Sequence, residues 1–314
     1  MLTRRHIRVK VLQSIYYFNQ NNHQDLDIQE KFLWYSLEQL RDLYLLQLQL
    51  FIEIRKHAEK YRKRSKNRFT QSHDTFTNRT NFINNKLLLL LENSAELNET
   101  IENKRLNYWE LDDEFVHSFF NDLREKDWFK AYQSIDKPVF KEDRDIVIRL
   151  FTEIIAPCEK LYQYLEDKRL TWLDDFPLVN TTIVRVFKKI NPNNSVAILI
   201  PDLYKSSGDK EYALQLFRKV VLNDDELSKE IKGKTPNWDQ DRIALMDMII
   251  LKMGISEFLY FSSIPVRVTI NEYLEIAKEY STAKSSLFIN GILDKLVKDY
   301  ENAGKLNKMG RGLR

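Results

Sequence analysis

The sequence predicts an all-α protein, and three observations lead to this prediction. Glycine and proline, the residues least compatible with a helix interior, number only seven each among 314 residues. Apolar residues recur at three- and four-residue spacing along most of the chain, which is the period of an amphipathic helix. Hydrophobic residues make up 43% and aromatic residues 12% of the sequence, which argues against disorder and provides the material for a core.

The first predicted helix begins almost at the start of the chain. Thr3 is expected to cap this helix, which runs to about Asn19. Its inward-facing residues are Ile7, Val11, Ile15 and Phe18. From about Gln29 a much longer helix is predicted, and it ends in the basic run Arg55–Arg68. The segment from Phe69 to Asn85 is rich in Asn, Thr and Ser and is predicted to be an exposed loop.

Shorter helices are predicted in the middle of the chain. They are expected at Leu87–Asn93, Asp113–Ser134, Glu142–Lys168, Phe176–Lys189, Lys210–Ile231 and Asp239–Phe261. Pro157 should bend or interrupt the third of them, because proline cannot donate the backbone hydrogen bond of a helix interior. A turn at Asn191–Asn194 and a break at Ser206–Gly208 separate the later helices.

Two amphipathic helices are predicted between Ile264 and Leu296. In the first, Ile270, Tyr273, Leu274, Ala277 and Tyr280 form an apolar stripe, and in the second Phe288, Ile292 and Leu296 form another. Ser281 or Thr282 is expected to cap the second helix. Gly291 lies in the middle of that helix, where glycine costs ~1 kcal/mol relative to alanine. We therefore expect another part of the chain to pack closely against Gly291.

Composition narrows the classes of protein. Cys158 is the only cysteine, so neither an internal disulfide nor a cysteine-rich zinc site can form. The longest apolar runs, such as Leu87–Leu91 and Val196–Ile200, are much shorter than a membrane span. A soluble, cytoplasmic protein without a membrane segment is expected. The net charge is only +3, so any contact with nucleic acid must come from local basic clusters.

The sequence offers little support for catalysis. No glycine precedes Gly208, which excludes a glycine-rich phosphate-binding loop from the first two thirds of the chain. The histidines all lie at or before His117, and the paired acids fall where helices are expected to start or turn. We therefore predict no catalytic residue, no metal site and no cofactor.

A basic cluster at the start of the first helix is the clearest candidate site. Arg4, Arg5, Arg8 and Lys10 include no acidic neighbour in sequence. Cations at a helix N-terminus oppose the helix dipole, at a cost of up to ~1 kcal/mol, and an anionic partner would reverse that cost. A solvated basic helix end is the equally plain alternative. The second basic run, Arg55–Arg68, holds eight Lys or Arg residues and one acid, and a solvated helix end is favoured for it over RNA contact.

The two C-terminal helices and the first helix carry a family resemblance. The residues concerned are Pro265–Val268, Ile270–Glu272, Glu275–Lys278 and Phe288–Lys295, with the opening RRHIRVKVLQSIYYF and, upstream of the C-terminal pair, Leu251, Lys252 and Glu257. This pattern resembles the NusB family of bacterial transcription antitermination factors. The resemblance implies a NusB-like helical bundle, and it covers about the first 20 residues and the last hundred.

The resemblance also implies a function. NusB proteins pair with the ribosomal protein NusE and grip a short single-stranded boxA-type RNA, in a complex with RNA polymerase that suppresses termination in ribosomal RNA operons. The first helix belongs to that family's RNA-binding surface, which favours RNA contact by Arg4, Arg5, Arg8 and Lys10. Lys284, Ser285, Phe288 and Asn290 fall where the family places residues near RNA. For Phe288 core packing is at least as plausible, and Asn290 is better explained as a structural hydrogen-bonding residue. We look for the NusE-binding face on the helix predicted at Asp239–Phe261.

The chain is longer than a typical NusB protein and resembles long Bacteroidetes-type forms of the family. The predicted organisation is a first core helix in 1–20, a helical insertion of unknown role in 21–205, the rest of the core in 206–302 and a basic, disordered tail in 303–314.

Two alternatives stay open at this point. One is a helical protein-binding scaffold without RNA. The other, which we disfavour, is a relative of ribosomal RNA 5-methylcytosine methyltransferases, some of which begin with a NusB-like domain. Pro157–Cys158 matches the Pro-Cys dipeptide of their active sites, but Cys158 falls in a predicted helix and no second cysteine exists.

Overall fold

The protein is helical throughout the part of the chain that the structure describes. The computed structural model describes residues 1–20, 25–66, 79–192, 199–232, 234, 243–282 and 284–309. Its helices are α1 (Arg4–Gln20), α2 (Leu26–Lys66), α3 (Lys86–Glu92), α4 (Ala95–Asn103), α5 (Tyr108–Leu111), α6 (Glu114–Glu125), α7 (Asp127–Ser134), α8 (Phe140–Leu150), α9 (Glu159–Lys168), α10 (Phe176–Lys189), α11 (Ser207–Leu222), α12 (Asp224–Lys232), α13 (Leu245–Tyr260), α14 (Val266–Tyr280) and α15 (Ser285–Asn302). A π-helix at Phe151–Ile155 and a 3₁₀ helix at Leu170–Asp175 complete them. No strand occurs among the described residues, so the all-α prediction is confirmed.

The chain divides into two compact units. The terminal unit consists of Leu2–Leu37 and Tyr204–Arg314, and the middle unit consists of Glu38–Leu203 with Met1. Helix α2 begins in the terminal unit and continues into the middle unit. The sequence-based boundaries lie after residue 20 and after residue 205. That the segment between them is an insertion stays a prediction.

Helix α13 is the centre of the terminal unit. It packs against α1, α11, α12, α14 and α15, and every residue from Ile249 to Phe258 is buried. The apolar residues of α13 are distributed around the whole circumference of the helix, which is typical of a buried helix rather than an amphipathic one. The stretch Ile249–Phe258 has no exposed apolar face, but Leu245 and Tyr260 at the two ends of α13 are exposed. That a partner protein binds the Asp239–Phe261 helix stays a prediction.

Close packing occurs at a different glycine from the one that the sequence suggested. A Cβ atom on Gly254 in α13 would lie 3.1 Å from Leu293 Cδ2 of α15 and 3.6 Å from a ring carbon of Tyr273 in α14. A Cβ atom on Gly291 would meet nothing within 4 Å. The predicted close contact at Gly291 is wrong, and Gly254 is the position at which three helices approach one another.

The start of α15 is held by a carboxylate rather than by a side-chain cap. The Ser281 and Ser285 hydroxyls donate to the two oxygens of Asp247, and the Ser285 Oγ–Asp247 Oδ2 distance is 2.7 Å. No side chain accepts a bond from the first backbone N–H groups of α15, so the cap predicted for Ser281 or Thr282 is wrong. The N-terminal ends of α13 and α15 are joined instead.

Residues 79–85 of the middle unit are not an exposed loop. Phe82 is completely buried, and the Asn85 side chain accepts hydrogen bonds from the N–H groups of Leu87 and Leu88 at 3.0 and 3.1 Å. Asn85 therefore caps α3. Residues 69–78 of the predicted loop lie outside the described residues.

Other predicted elements agree in part. Helix α10 has the predicted bounds, Phe176–Lys189. The single helix expected over Asp113–Ser134 is divided into α6 and α7 at Lys126, whose backbone is extended. The helix expected over Glu142–Lys168 is interrupted by the π-helix and by Pro157, which confirms the predicted break.

The segment after α15 is held in place as far as residue 309. The Lys308 Nζ donates to the carbonyl oxygens of Glu257 and Phe261, both at 2.9 Å, and Met309 N donates to Ser262 O at 3.1 Å. The tail expected to be disordered is thus fixed against the end of α13 over these residues. Residues 310–314 lie outside the described part of the chain.

Candidate nucleic-acid interface

The start of α1 is capped as the sequence predicts. The Ile7 N–H donates to the Thr3 carbonyl oxygen at 3.1 Å, and the His6 N–H donates to the Thr3 hydroxyl at 3.4 Å. The same hydroxyl lies 2.6 Å from His6 Nδ1. Four apolar residues of this helix are buried as predicted: Ile7, Val11, Ile15 and Phe18. The burial of this stripe leaves the first turn at the surface.

Arg4 and Arg5 are exposed, but each contacts a carboxylate from a distant part of the sequence. Their side chains are 44% and 43% exposed. Arg4 Nε donates to Asp209 Oδ1 at 3.1 Å, and Arg5 donates through Nε and Nη2 to the two oxygens of Glu272 at 3.0 and 2.9 Å. Both guanidinium groups keep N–H donors that bond to no acceptor among the described residues. These donors can meet a phosphate, although Asp209 and Glu272 compete for the same cations.

The Arg5–Glu272 pair shifts the pKa of both of its members. The hydrogen bond from Arg5 lowers the pKa of Glu272 below its usual value, and the bond to Glu272 raises the pKa of Arg5. Glu272 therefore stays ionised and holds Arg5 in place at neutral pH.

Arg8 lies in the interior, which corrects its prediction as an exposed RNA contact. Its side chain is 2% exposed, and Nε and Nη2 donate to the two oxygens of Glu257 at 2.6 and 3.0 Å. Burial alone would lower the pKa of Arg8, but the adjacent Glu257 carboxylate raises it above its usual value. Arg8 also lines the cleft beside Arg4 and Arg5, but almost none of its side chain is exposed there.

A network of hydroxyl groups completes the Arg8–Glu257 pair. The Thr269 hydroxyl and the Tyr273 hydroxyl donate to Glu257 at 2.9 Å each, and the Tyr212 hydroxyl also donates to Glu257. Burial, together with this carboxylate, raises the pKa of both tyrosines well above the usual value. Glu257 therefore joins α1, α11, α13 and α14 inside the terminal unit. Sequence analysis placed Glu257 in the family pattern without assigning it a role.

Lys10 is also buried, with 2% exposure, and it cannot form part of an external surface. Lys252, another basic position of the family pattern, lies 2.6 Å from Asp224 and is nearly buried. A buried ammonium group is tolerated only where protein groups take the place of the water molecules that would otherwise solvate it. We therefore interpret both lysines as part of the packing of the terminal unit.

The second predicted group lies at the start of α15 and is divided between the surface and the interior. Lys284 is exposed, and Phe288 and Asn290 are half-buried. Asn290 Nδ2 donates to Asp294 Oδ2 of its own helix at 3.1 Å. Ser285 is buried, and its hydroxyl is engaged with Asp247, so it is corrected from an RNA contact to a structural residue.

The structure does not bring the two predicted groups to one point. Arg8 contacts Glu257, near the end of α13, whereas Ser285 contacts Asp247, near its start. Asp247 and Glu257 are ten residues apart in this helix, which corresponds to ~15 Å along its axis. A ligand that touches both Arg5 and Lys284 must therefore be extended.

A cleft of about 520 Å³ opens beside Arg4 and Arg5 in the terminal unit. His6, Pro265 and Glu272 are among its lining residues. Burial and the nearby Arg5 and Lys10 lower the pKa of His6 to about 4. Lys205, which sequence analysis did not single out, also contributes to this shift and is exposed. His6 is neutral at neutral pH, and Lys205 adds positive charge to this end of the unit.

The structure identifies neither a metal cluster nor a membrane segment in the described parts of the chain. No group of three or more His, Cys, Asp or Glu side chains there is arranged to hold a metal ion. None of the described helices is long and apolar enough to span a bilayer. Cys158 precedes the first turn of α9 rather than lying within a helix, and it is half-buried.

The fold and the site together define an all-α protein with an arginine-rich helix start as its candidate ligand-binding surface. The model of the NusB family matches residues 189–298. A transcription antitermination protein NusB of Salinibacter ruber is 37% identical over 117 residues, which cover 37% of this chain and 73% of the relative. The chain belongs to the NusB family.

Two further relatives and a solved structure are also similar to this chain. The transcription antitermination protein NusB of Chloroherpeton thalassium is 37% identical over 116 residues, which cover 37% of this chain and 55% of that protein. The protein of the same name from Finegoldia magna is 46% identical over 94 residues, 29% of this chain and 69% of the relative. A solved structure of T. maritima NusB is 34% identical, with 33% of this chain and 74% of that chain covered and a TM-score of 0.29.

Proposed function

We propose that this protein is a non-enzymatic transcription antitermination factor that binds boxA-type single-stranded RNA together with NusE, as part of an RNA polymerase complex on ribosomal RNA operons. Family membership supports the antitermination role, because the relatives carry that name. The single observation that supports RNA contact is the exposed pair Arg4 and Arg5, whose unused guanidinium N–H groups project from the first turn of α1.

In the proposed mechanism, phosphate groups of the RNA backbone replace protein carboxylates as hydrogen-bond acceptors of the arginines. A phosphate approaching Arg5 gains charge-assisted hydrogen bonds, which are about twice as strong as neutral ones. It must compete with Glu272, which now holds two of the donors. From there the extended RNA runs toward the exposed Lys284 at the start of α15. Arg8, Lys10 and Ser285 support this surface from the interior.

NusE binding is assigned to surfaces other than the buried stretch Ile249–Phe258 of α13. The protein-binding scaffold without RNA is the alternative that the same fold permits. The methyltransferase alternative has no observation in its favour, because Cys158 lies at a helix start in the middle unit.

The test is a salt titration of labelled boxA-type RNA with the full chain, with and without NusE. Replacing Arg4 and Arg5 by alanine should weaken binding and reduce the slope of log K against log salt by roughly 0.7 for each lost phosphate contact. Glu272→Gln should act in the opposite direction, because it releases Arg5 for the phosphate. The matched control is Lys137→Ala with Lys141→Ala, which removes two exposed positive charges from the middle unit.

Equal slopes for the wild type and the Arg4/Arg5 variant would contradict RNA contact by α1. If NusE leaves the RNA affinity unchanged, the result would contradict RNA binding by this protein together with NusE. It would favour the alternative of a protein-binding scaffold. A thermal melt of each variant checks that the terminal unit is intact, so that a loss of binding reports on the surface.

A further inference from the structure

The middle unit contains a cleft that the proposed RNA contact does not use. It has a volume of about 540 Å³ and lies between the π-helix Phe151–Ile155 and helix α10. All of its lining residues belong to the middle unit. The cleft is therefore distinct from the one beside Arg4 and Arg5.

The floor and the rim of this cleft differ in chemistry. Ala156 and Val184, which are half-buried, supply apolar carbon to the floor, whereas Phe151 is almost completely buried. Three cations of α10 also line it: Arg185, Lys188 and Lys189. The described residues that line the cleft include no aspartate or glutamate. A ligand that fits must offer an apolar group to the floor and negative charge to the rim.

Two acids in the helices next to the cleft are paired with other cations. Glu153 of the π-helix is paired with Arg149 at 2.8 Å, and Asp145 of α8 is paired with Arg144 at 3.2 Å. Lys188 and Lys189 lie in the last turn of α10, where the helix dipole favours cations. Arg185 lies a turn earlier and is exposed, and it donates to the Thr182 hydroxyl at 3.1 Å.

The wall opposite α10 is an unusual helix. Phe151–Ile155 forms a π-turn that is closed by the bond from Ala156 N to Phe151 O at 2.7 Å. Such turns are rare and occur frequently at functional sites. The residue after the π-turn is Ala156, whose small side chain lines the cleft.

We propose that this cleft binds an acidic, amphipathic peptide segment of a partner protein. Its apolar side chains would occupy the floor, and its carboxylates would face Arg185, Lys188 and Lys189. Peptide is favoured over RNA because Phe151, the aromatic residue of the lining, is only 1% exposed and offers no ring face on which a base could stack. The inference is independent of the RNA contact proposed for α1.

The test uses the full chain and a labelled, helix-forming peptide that has glutamates on one face and leucines on the other. Fluorescence anisotropy at moderate salt should show saturable binding. Arg185→Glu with Lys188→Glu should weaken it by about tenfold or more, since two attractions become repulsions. Lys137→Glu with Lys141→Glu makes the same charge change elsewhere in the middle unit and should leave binding unchanged. Val184→Arg, which fills the floor, should also weaken it.

Three results would overturn the proposal. The first is an acidic peptide that does not bind, or that binds no better than the same peptide with lysine in place of glutamate. The second is an equal loss in the Lys137/Lys141 control. The third is a single-stranded oligonucleotide that binds more tightly than the peptide and loses affinity in the Arg185/Lys188 variant, because the cleft would then be a nucleic-acid site. BoxA RNA affinity of that variant, measured in parallel, separates this outcome from a failure of the proposed α1 contact.

Discussion

The arginine-rich start of α1 and the basic end of α2 look alike in sequence but are built differently. In α1 the arginines contact carboxylates that are 205, 267 and 249 positions away: Asp209, Glu272 and Glu257. At the end of α2 most pairs are local. Lys56 contacts Glu53 at 2.9 Å, and Lys63 contacts Glu59 at 2.8 Å.

Each run nevertheless contains one arginine that belongs to the core. Arg8 is paired with Glu257, and Arg55 is buried, donating to the Ile83 carbonyl oxygen at 3.1 Å and forming an ion pair with Glu92 at 2.5 Å. The two runs differ in their outer residues, since Arg4 and Arg5 are held by carboxylates whereas Lys60 and Arg64 are exposed without a carboxylate partner among the described residues. A count of basic residues therefore does not measure the charge that a surface offers to a ligand.

The largest expected effect is the loss of the buried arginine in α1. Arg8→Met should lower the free energy of unfolding by ~3–5 kcal/mol, because Glu257 would remain buried without its partner. Urea denaturation monitored in the terminal unit measures this loss. Arg5→Met is the control and should cost at most ~1 kcal/mol, since that pair is exposed. Adding Glu257→Gln to Arg8→Met should recover part of the loss, and similar losses for Arg5 and Arg8 would contradict the assignment.

Arg55→Met should cost less than Arg8→Met, about 2–3 kcal/mol. Its removal leaves the Ile83 carbonyl oxygen without that donor, but Glu92 is 24% exposed and can recover water. Lys63→Met serves as the control within the same helix, because Lys63 is 74% exposed and its removal should cost only a few tenths of a kcal/mol. The same denaturation experiment applies. A loss as large as that of Arg8→Met would show that Glu92 behaves as a buried charge.

Among the described residues, each unit contains one histidine whose charged form is disfavoured by folding. Burial lowers the pKa of His6 and of His57 to about 4 from 6.5, with further lowering by Arg5 and Lys10 for His6 and by His117 and Arg64 for His57. The unfolded chain binds these protons first as the pH falls. The stability that each neutral histidine provides is therefore complete above pH 6.5 and is lost between pH 6.5 and 4.

Replacing either histidine by glutamine should reduce this pH-dependent loss of stability by ~1–3 kcal/mol. Unfolding free energies at neutral pH and near the lower end of the window measure the difference. His6→Gln should affect the terminal unit and His57→Gln the middle unit. A variant that keeps the full wild-type pH dependence would contradict the shift for that histidine.

The smallest effect concerns the outer cations of α2. Lys60 and Arg64 are four residues apart on one helix, where like charges repel by ~0.2–0.5 kcal/mol. Lys60→Glu should replace this repulsion with attraction and raise the melting temperature of the middle unit slightly at low salt. Lys60→Gln should give about half of the gain, and high salt should remove both gains. A gain that persists at high salt would have a cause other than charge.

The spacing of apolar residues predicted those helices whose bounds depend on residues close together in the sequence. The bounds of α1 and α10 and the buried stripe of α1 follow from apolar spacing. No glycine or proline lies near the break at Lys126, so α6 and α7 were predicted as one helix. Residues 79–85 were predicted to be exposed because asparagines are common in loops, yet Asn81 donates to three backbone carbonyls, at 2.7 to 3.2 Å, and so supports a buried turn.

The candidate site was predicted only in outline. The sequence located the basic start of α1 correctly, and Arg4 and Arg5 are exposed there. It could not indicate that Arg8, Lys10 and Ser285 are buried. Nor could it reveal Lys205 near His6, because these residues are neighbours only through the fold.

The sequence by itself determined the all-α class, the C-terminal helix pair and the membership of the NusB family, because helical period and residue order are properties of neighbouring positions. Only the tertiary structure decided which arginines are exposed and which are internal. A charged side chain enters the interior only where a partner replaces its water. The partner of Arg8 is Glu257, which lies in a helix far along the chain. That pairing is a property of packing, and no local pattern in α1 contains it.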